Sequence, residues 1–159
     1  MISWSSRAAP CIRPIGAERS AECAAIHAVS FAYPWQEADF EQLFAASGTV
    51  ADGAIEAKEE HLAGFVLSRV IAGEAEILTI AVAPEWRRRG IATSLLTPHM
   101  AGLAAIRVDR LFLEVDAENS AACALYANFG FEQVGERKAY YRTAGARSAG
   151  ALVMRRDLL

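Results

Sequence analysis

Three consecutive arginines run into a glycine and an alanine at Arg87-Arg88-Arg89-Gly90-Ile91-Ala92. At a strand-to-helix junction such a run suits an anion. The N–H groups of a helix start point outward with the positive end of the helix dipole, small residues admit the anion to the backbone, and guanidinium groups add charge-assisted bonds. A solvated basic turn has the same composition. No Gly-Lys-Ser or Gly-Lys-Thr follows and no Gly-x-Gly-x-x-Gly is formed, which disfavours nucleotide hydrolysis and hydride transfer.

Two other residues have the chemistry to move protons. Glu114 interrupts the apolar run Leu111-Phe112-Leu113-Glu114-Val115, where a charge is unusual unless it faces solvent or a cleft. Strand alternation puts it on the face of Phe112, an apolar neighbour able to raise a carboxyl pKa, and a solvated edge position is the alternative. Tyr126 stands beside a helical stripe of Ala122, Leu125 and Phe129, a pattern that reads as core packing with the hydroxyl at the rim. His27, His61 and His99 have no spacing that collects a metal, so each reads as a surface or packed histidine and no metal is expected. Cys11, Cys23 and Cys123 are odd in number and far apart, which suits reduced, mostly buried thiols rather than a disulfide framework or a zinc site. No histidine is placed in sequence to activate Cys123 as a nucleophile.

These residues need elements to position them. Cys23, Ile26 and Phe31 among alanines predict a helix over residues 18–31, and Phe40, Leu43 and Phe44 predict a second, with a break at Pro34. Tyr33-Pro34-Trp35 forms an aromatic elbow between them, which reads on its own as a packed corner. Residues 54–57, 62–70 and 77–83 are short, β-rich and divided by turn signals at Lys58-Glu59-Glu60 and Ala72-Gly73, an antiparallel meander ended by Pro84. The last of these strands runs through the arginine loop into a helix reaching about residue 106, which Pro98 should kink or shorten, and then into the strand 111–115. That β-loop-α-β unit makes a right-handed crossover between parallel strands. Asn119 reads as the cap of a helix over 121–129 that stops at Gly130, and strands near 132–141 and 151–155 follow. The expected fold is α+β: a mixed, mostly antiparallel sheet of about seven strands with about four helices, in one domain over residues 1–159.

The 159 residues are 53% hydrophobic and 22% charged, within the usual size of one globular domain. A net charge of −3 argues against broad nucleic-acid binding, so any anion site is local. No apolar stretch approaches the roughly 20 residues that span a bilayer, and the first residues lack the features of a signal peptide. A soluble, cytoplasmic protein is expected, with no membrane partner.

Arg87-x-x-Gly90-x-Ala92, following Ile80-Ala81-Val82-Ala83-Pro84, resembles the acetyl-coenzyme A signature of the GNAT superfamily. Downstream, Leu113-Glu114-Val115, Asn119 with Ala121-Ala122, Ala124-Leu125-Tyr126, Gly130-Phe131, Tyr140-Tyr141 and Val153-Met154 resemble its RimI-type branch, which acetylates protein N-termini. Pro34-Trp35 fits that branch's first helical loop, and the match runs in order from about His27 to Met154. The resemblance implies that the backbone of Ile80, Ala81 and Val82 pairs with the pantetheine arm. Arg87, Arg88, Arg89, Gly90, Ile91, Ala92 and Thr93 would then cradle the pyrophosphate, and Asn119 would touch the cofactor as well as cap its helix. It further implies that Glu114 is the general base and Tyr126 the donor to the departing thiolate, with Tyr33, Trp35 and Tyr141 at the acceptor. One departure stands out: the branch usually carries an acidic residue before the Ala of its C-terminal strand, and this chain has Gly150-Ala151.

The expected reaction is direct transfer of an acetyl group from acetyl-coenzyme A, a cosubstrate, to a protein N-terminal α-amine. Such an amine titrates near pH 8, about 2.5 units below lysine, so the base need only help. With ordinary values of about 10 for tyrosine and about 8.5 for a thiol, complete proton transfer from Tyr126 to the thiolate is uphill by roughly 2 kcal/mol. Acetylation of lysine or a small amine shares every cofactor feature, and a non-catalytic acetyl-coenzyme A sensor is the remaining alternative, opposed by the presence of both Glu114 and Tyr126.

Overall fold

A computed structural model describes residues 8–138 and 150–159. In chain order they form β1 (Cys11–Pro14), α1 (Ser20–Ala28), α2 (Glu37–Ala45), β2 (Thr49–Ile55), β3 (Leu62–Ile71), β4 (Glu74–Val82), α3 (Ile91–Ala105), β5 (Arg110–Asp116), α4 (Ser120–Asn128), β6 (Glu132–Arg137) and β7 (Ala151–Asp157). The strands make one sheet in the order β1-β2-β3-β4-β5-β7-β6. Strands β4 and β5 pair in parallel, as a crossover through α3 demands, while β1 with β2, β5 with β7 and β6 with β7 are antiparallel. The mixed sheet of seven strands with four helices is thus the architecture expected from the sequence.

Two compact units divide these residues. One holds the described residues up to Leu67 with Thr79–Ala101, the other Ser68–Leu78 with the described residues from Gly102 on. In the first, residues 62–67 of β3 are all buried, Phe40 of α2 meets Phe65 edge-on at 5.6 Å, and Leu95, Leu96 and Met100 of α3 are buried as well. In the second, Leu111, Leu113 and Val115 give β5 its buried alternation, with Leu103, Val108, Phe131 and Met154 also buried. Only Cys23 among the three thiols is buried: Cys123 is half-buried and Cys11 is exposed on β1, correcting the expectation that most are buried.

Other differences from the sequence reading have local causes. Strand β1 was not anticipated, since Cys11-Ile12-Arg13-Pro14 is four residues long, almost wholly exposed and ends in proline, and pairs only as an edge. Strand β2 begins at Thr49 rather than residue 54, because Asp52 and Gly53 have tertiary reasons to be there. The Asp52 carboxylate lies 2.6 Å from Nδ1 of the fully buried His99, and a Cβ at position 53 would stand 2.7 Å from Ile15 and 2.8 Å from Leu62. Helix α1 stops at Ala28, short of residue 31, as the N–H groups of Ser30 and Phe31 both turn back to the His27 carbonyl. Pro98 does not shorten α3, which runs through it for 15 residues. Strand β6 is described to Arg137, and Tyr141 lies outside the described residues.

Candidate active site

Of the residues singled out by sequence, Tyr33, Trp35, Ile80, Ala81, Val82 and residues 87–93 fall in the first unit, and Glu114, Asn119 and Tyr126 in the second. The described β4–β5 ladder pairs residues 74–77 with 110–113. Ile80, Ala81 and Val82 therefore lie beyond it on β4, where a strand-like ligand would find backbone groups.

The loop after β4 is a short 3-10 turn, Pro84–Trp86, that delivers the chain to α3. Arg88 and Gly90 both take positive φ, +61° and +75°, with Arg89 between them outside that region. Alternation of this kind turns successive N–H groups toward one concavity, which favours anions. The first helical bond of α3 runs from Ser94 N–H to the Gly90 carbonyl at 3.0 Å, so the N–H groups of Ile91, Ala92 and Thr93 precede it and point off the helix start. Nothing lies within 4 Å of where a Cβ on Gly90 would stand.

The three guanidinium groups do different things. Arg89 lies over the buried Trp86 ring, 5.2 Å from its centroid, while Arg88 is exposed. Arg87, also exposed, bonds to acceptors of the protein itself: its Nε donates to the Val82 carbonyl at 3.0 Å and its Nη2 to Ser30 Oγ at 3.1 Å. Backbone N–H groups, more than the Arg87 and Arg89 side chains, are therefore the donors this loop could offer to an anion. Gly90→Val should raise the dissociation constant of acetyl-coenzyme A more than tenfold, because a branched residue is strained at φ +75° and projects into that open ground. Arg88→Ala, which removes one screened charge, should change it less than about threefold. Isothermal titration of both variants decides, and an unchanged affinity in Gly90→Val would exclude this loop as the site.

Between α1 and α2, Val29, Phe31 and Tyr33 are exposed apolar side chains on one turn. Trp35 is half-buried, its ring stacked on His27 at 4.8 Å and its backbone N–H donating to His27 Nδ1 at 3.0 Å. His27, buried also against Phe31 and Phe40, is a packed histidine, and desolvation lowers its pKa. A neutral Nδ1 must accept from Trp35, so protonation would break that bond. Because the folded-state pKa is the lower one, stability is intact above the unfolded value of about 6.5 and is lost as pH falls through the folded pKa. The melting temperature should fall more steeply between pH 7 and 5 in the wild type than in His27→Gln, which keeps an acceptor but does not titrate. Equal slopes would assign the pH dependence to other groups.

In the second unit, Asn119 caps α4, its Oδ1 accepting from Ala122 N–H at 3.1 Å, which leaves its amide NH₂ available to a ligand. Gly150, which stands where the RimI-type branch usually carries an acidic residue, uses its carbonyl to accept from Ala117 N–H at 2.9 Å. Tyr126 is buried on α4, edge-on to Phe131 at 5.7 Å, and burial with the neighbouring Cys123 pushes its hydroxyl up to about 12. Glu114 is exposed, and its Oε1 accepts from Arg137 Nη2 at 2.8 Å. The sequence suggested an aromatic wall beside this carboxylate, whereas its partner is an arginine from β6, which strand alternation within β5 does not reveal.

The described loop, strand and helix geometry can be set beside known proteins. Residues 20–131 match the model of the acetyltransferase (GNAT) family. The chain belongs to this family. Among its GNAT relatives is the [ribosomal protein bS18]-alanine N-acetyltransferase of Salmonella typhimurium, 36% identical over 113 residues, which cover 71% of this chain and 74% of that one. The crystal structure of the ribosomal-protein-S18-alanine N-acetyltransferase from Escherichia coli superposes with a TM-score of 0.84 at 28% identity, covering 93% of each chain. Arabidopsis thaliana NAA60 in complex with acetyl-CoA has a TM-score of 0.80 over 92% of this chain and 97% of that one, a likeness of fold alone at 22% identity. The chain is an acetyltransferase, and no described helix is long and apolar enough to cross a membrane.

Proposed function

We propose that this GNAT acetyltransferase moves the acetyl group of acetyl-coenzyme A to the N-terminal α-amine of a protein beginning with a small residue such as alanine, a ribosomal protein being the first candidate. The observation that carries this reading is the 36% identity with an enzyme that acetylates alanine in ribosomal protein bS18. An alanine side chain holds no nitrogen, so an alanine N-acetyltransferase can act only on a free α-amine.

In this reading the N-H groups of residues 88–93 hold the pyrophosphate, the backbone of Ile80, Ala81 and Val82 takes the pantetheine arm, and Asn119 adds a side-chain contact. A backbone N–H of residues 80–82 meets the oxyanion that develops on the thioester carbonyl. Glu114 accepts the proton of the attacking amine, and Tyr126 donates a hydrogen bond to the departing thiolate. The exposed turn bearing Tyr33 and Trp35 receives the acceptor peptide, with Tyr141 as a third contact. Transfer is direct, with no acyl-enzyme, no metal and no part for nucleic acid or membrane, and the work is cytoplasmic.

An α-amine is more neutral at pH 7 than a lysine amine by roughly a few hundredfold. Peptides with a free N-terminal Ala should therefore be acetylated at least tenfold faster than N-terminally blocked peptides with one internal Lys, measured by thiol release with mass-spectrometric mapping. Equal or faster use of the blocked lysine peptide would replace the α-amine by a side-chain amine as the acceptor.

A further inference from the structure

Arg87 begins the arginine run, yet its exposed guanidinium is engaged by acceptors of the protein itself. Its two bonds reach different elements: Nε donates to the carbonyl of Val82 at the end of β4 at 3.0 Å, and Nη2 donates to Ser30 Oγ beyond α1 at 3.1 Å. The Ser30 hydroxyl in turn donates to the Ile26 carbonyl at 2.7 Å, one turn back in α1. The exposed turn that follows is therefore fastened at its start through Ser30 and Arg87 and near its end through the bond from Trp35 N–H to His27 Nδ1. A guanidinium presents its donors in a fixed planar fork, so one side chain holds two partners at a set separation, which a lysine ammonium does not do.

We infer that Arg87, acting through Ser30, is a positioning residue that fixes the acceptor turn against the end of the cofactor strand, and so governs use of the acceptor amine rather than binding of acetyl-coenzyme A. This rests on the reading of the Phe31–Trp35 turn as the acceptor site. Small displacements of a nucleophile from its attack position are costly in rate, whereas the pyrophosphate cradle is built from backbone that these two side chains do not form.

The test is steady-state kinetics on the full chain with Arg87→Ala, Ser30→Ala, their double variant and Ser30→Thr. The wild type is first assayed with the N-terminal alanine peptide and the blocked lysine peptide, and the variants are then run on whichever it uses. Arg87→Ala and Ser30→Ala should each raise the acceptor KM roughly five- to tenfold, the double variant no more than Arg87→Ala alone, and Ser30→Thr, which keeps the hydroxyl, should stay near wild type. Calorimetric titration should find the acetyl-coenzyme A dissociation constant within about twofold throughout. Arg87→Ala that weakens acetyl-coenzyme A binding while Ser30→Ala is silent would make Arg87 a phosphate ligand and overturn the inference, as would multiplicative effects in the double variant. Use of the lysine peptide in place of the alanine peptide defeats the α-amine reading alone, and a wild type that uses neither overturns both.

Discussion

Glu114→Gln is expected to lower the turnover number by roughly 10²- to 10⁴-fold while leaving acetyl-coenzyme A affinity unchanged, the range in which removal of a general base falls. Glu114 sits in β5 opposite Val153 of β7, and its Oε1 accepts from Arg137 at 2.8 Å. Glutamine fills the same space and keeps one carbonyl oxygen for Arg137, so the strand register and the ion-pair neighbour are undisturbed in shape. What it lacks is a lone pair basic enough to take a proton from an ammonium. In the native carboxylate one oxygen remains for that task while the other holds the guanidinium. Raising the pH from 7 toward 9 supplies neutral α-amine from solution, since its pKa is near 8, and should recover part of the loss. The measurement is kcat against pH for both proteins, after their thermal melts are shown to agree. An undiminished rate would end the assignment, and a deficit that stayed constant with pH would make Glu114 an orienting group rather than a base.

The β-loop-α-β unit and the arginine loop were legible because their signals are local. Pro84 follows the last residues of β4 and opens the 3-10 turn, glycine occupies a left-handed position before α3, and apolar alternation marks β5. Asn119 was readable as a cap for the same reason: its partner is three residues away. What the sequence concealed depends on distant contacts. Asp52 and Gly53 fall outside the apolar β pattern until His99, Ile15 and Leu62 are brought to them, and Pro98 reads as a residue that kinks or shortens α3 although the helix runs through it to Ala105. The roles of Arg87 and Arg137 were hidden because Ser30 lies 57 positions from the first and Glu114 sits two strands away in sheet order from the second. Charge type predicts that an arginine will bind an anion or a carbonyl, but the chain alone does not choose between them.

Tyr126→Phe is expected to reduce kcat by about 10²- to 10³-fold, the range seen when one preorganised donor to developing negative charge is removed, and this loss should persist at every pH. The hydroxyl is buried, and with its pKa near 12 it stays protonated through the neutral and mildly alkaline range. Against a thiol of about 8.5, a donor at about 12 makes complete proton transfer uphill by about 3.5 units, or roughly 5 kcal/mol, in place of the 2 kcal/mol that ordinary values suggest. In the proposed mechanism Tyr126 would therefore act by hydrogen-bonding the thiolate as it departs, leaving the thiolate's final protonation to solvent. A hydrogen bond of this kind strengthens as charge develops, so its loss appears in kcat more than in the KM for acetyl-coenzyme A. Phenylalanine preserves the ring that packs edge-on to Phe131 at 5.7 Å, which keeps the fold defect small. Higher pH does not replace the missing donor, so the Phe variant's profile should run parallel to the wild type's where that of Glu114→Gln converges on it. A better leaving group should rescue it: an acetyl thioester whose thiol has a lower pKa needs less help, and the ratio of wild-type to variant rates should shrink with that pKa. A ratio independent of the leaving thiol would show that the hydroxyl orients the substrate and does not stabilise the thiolate.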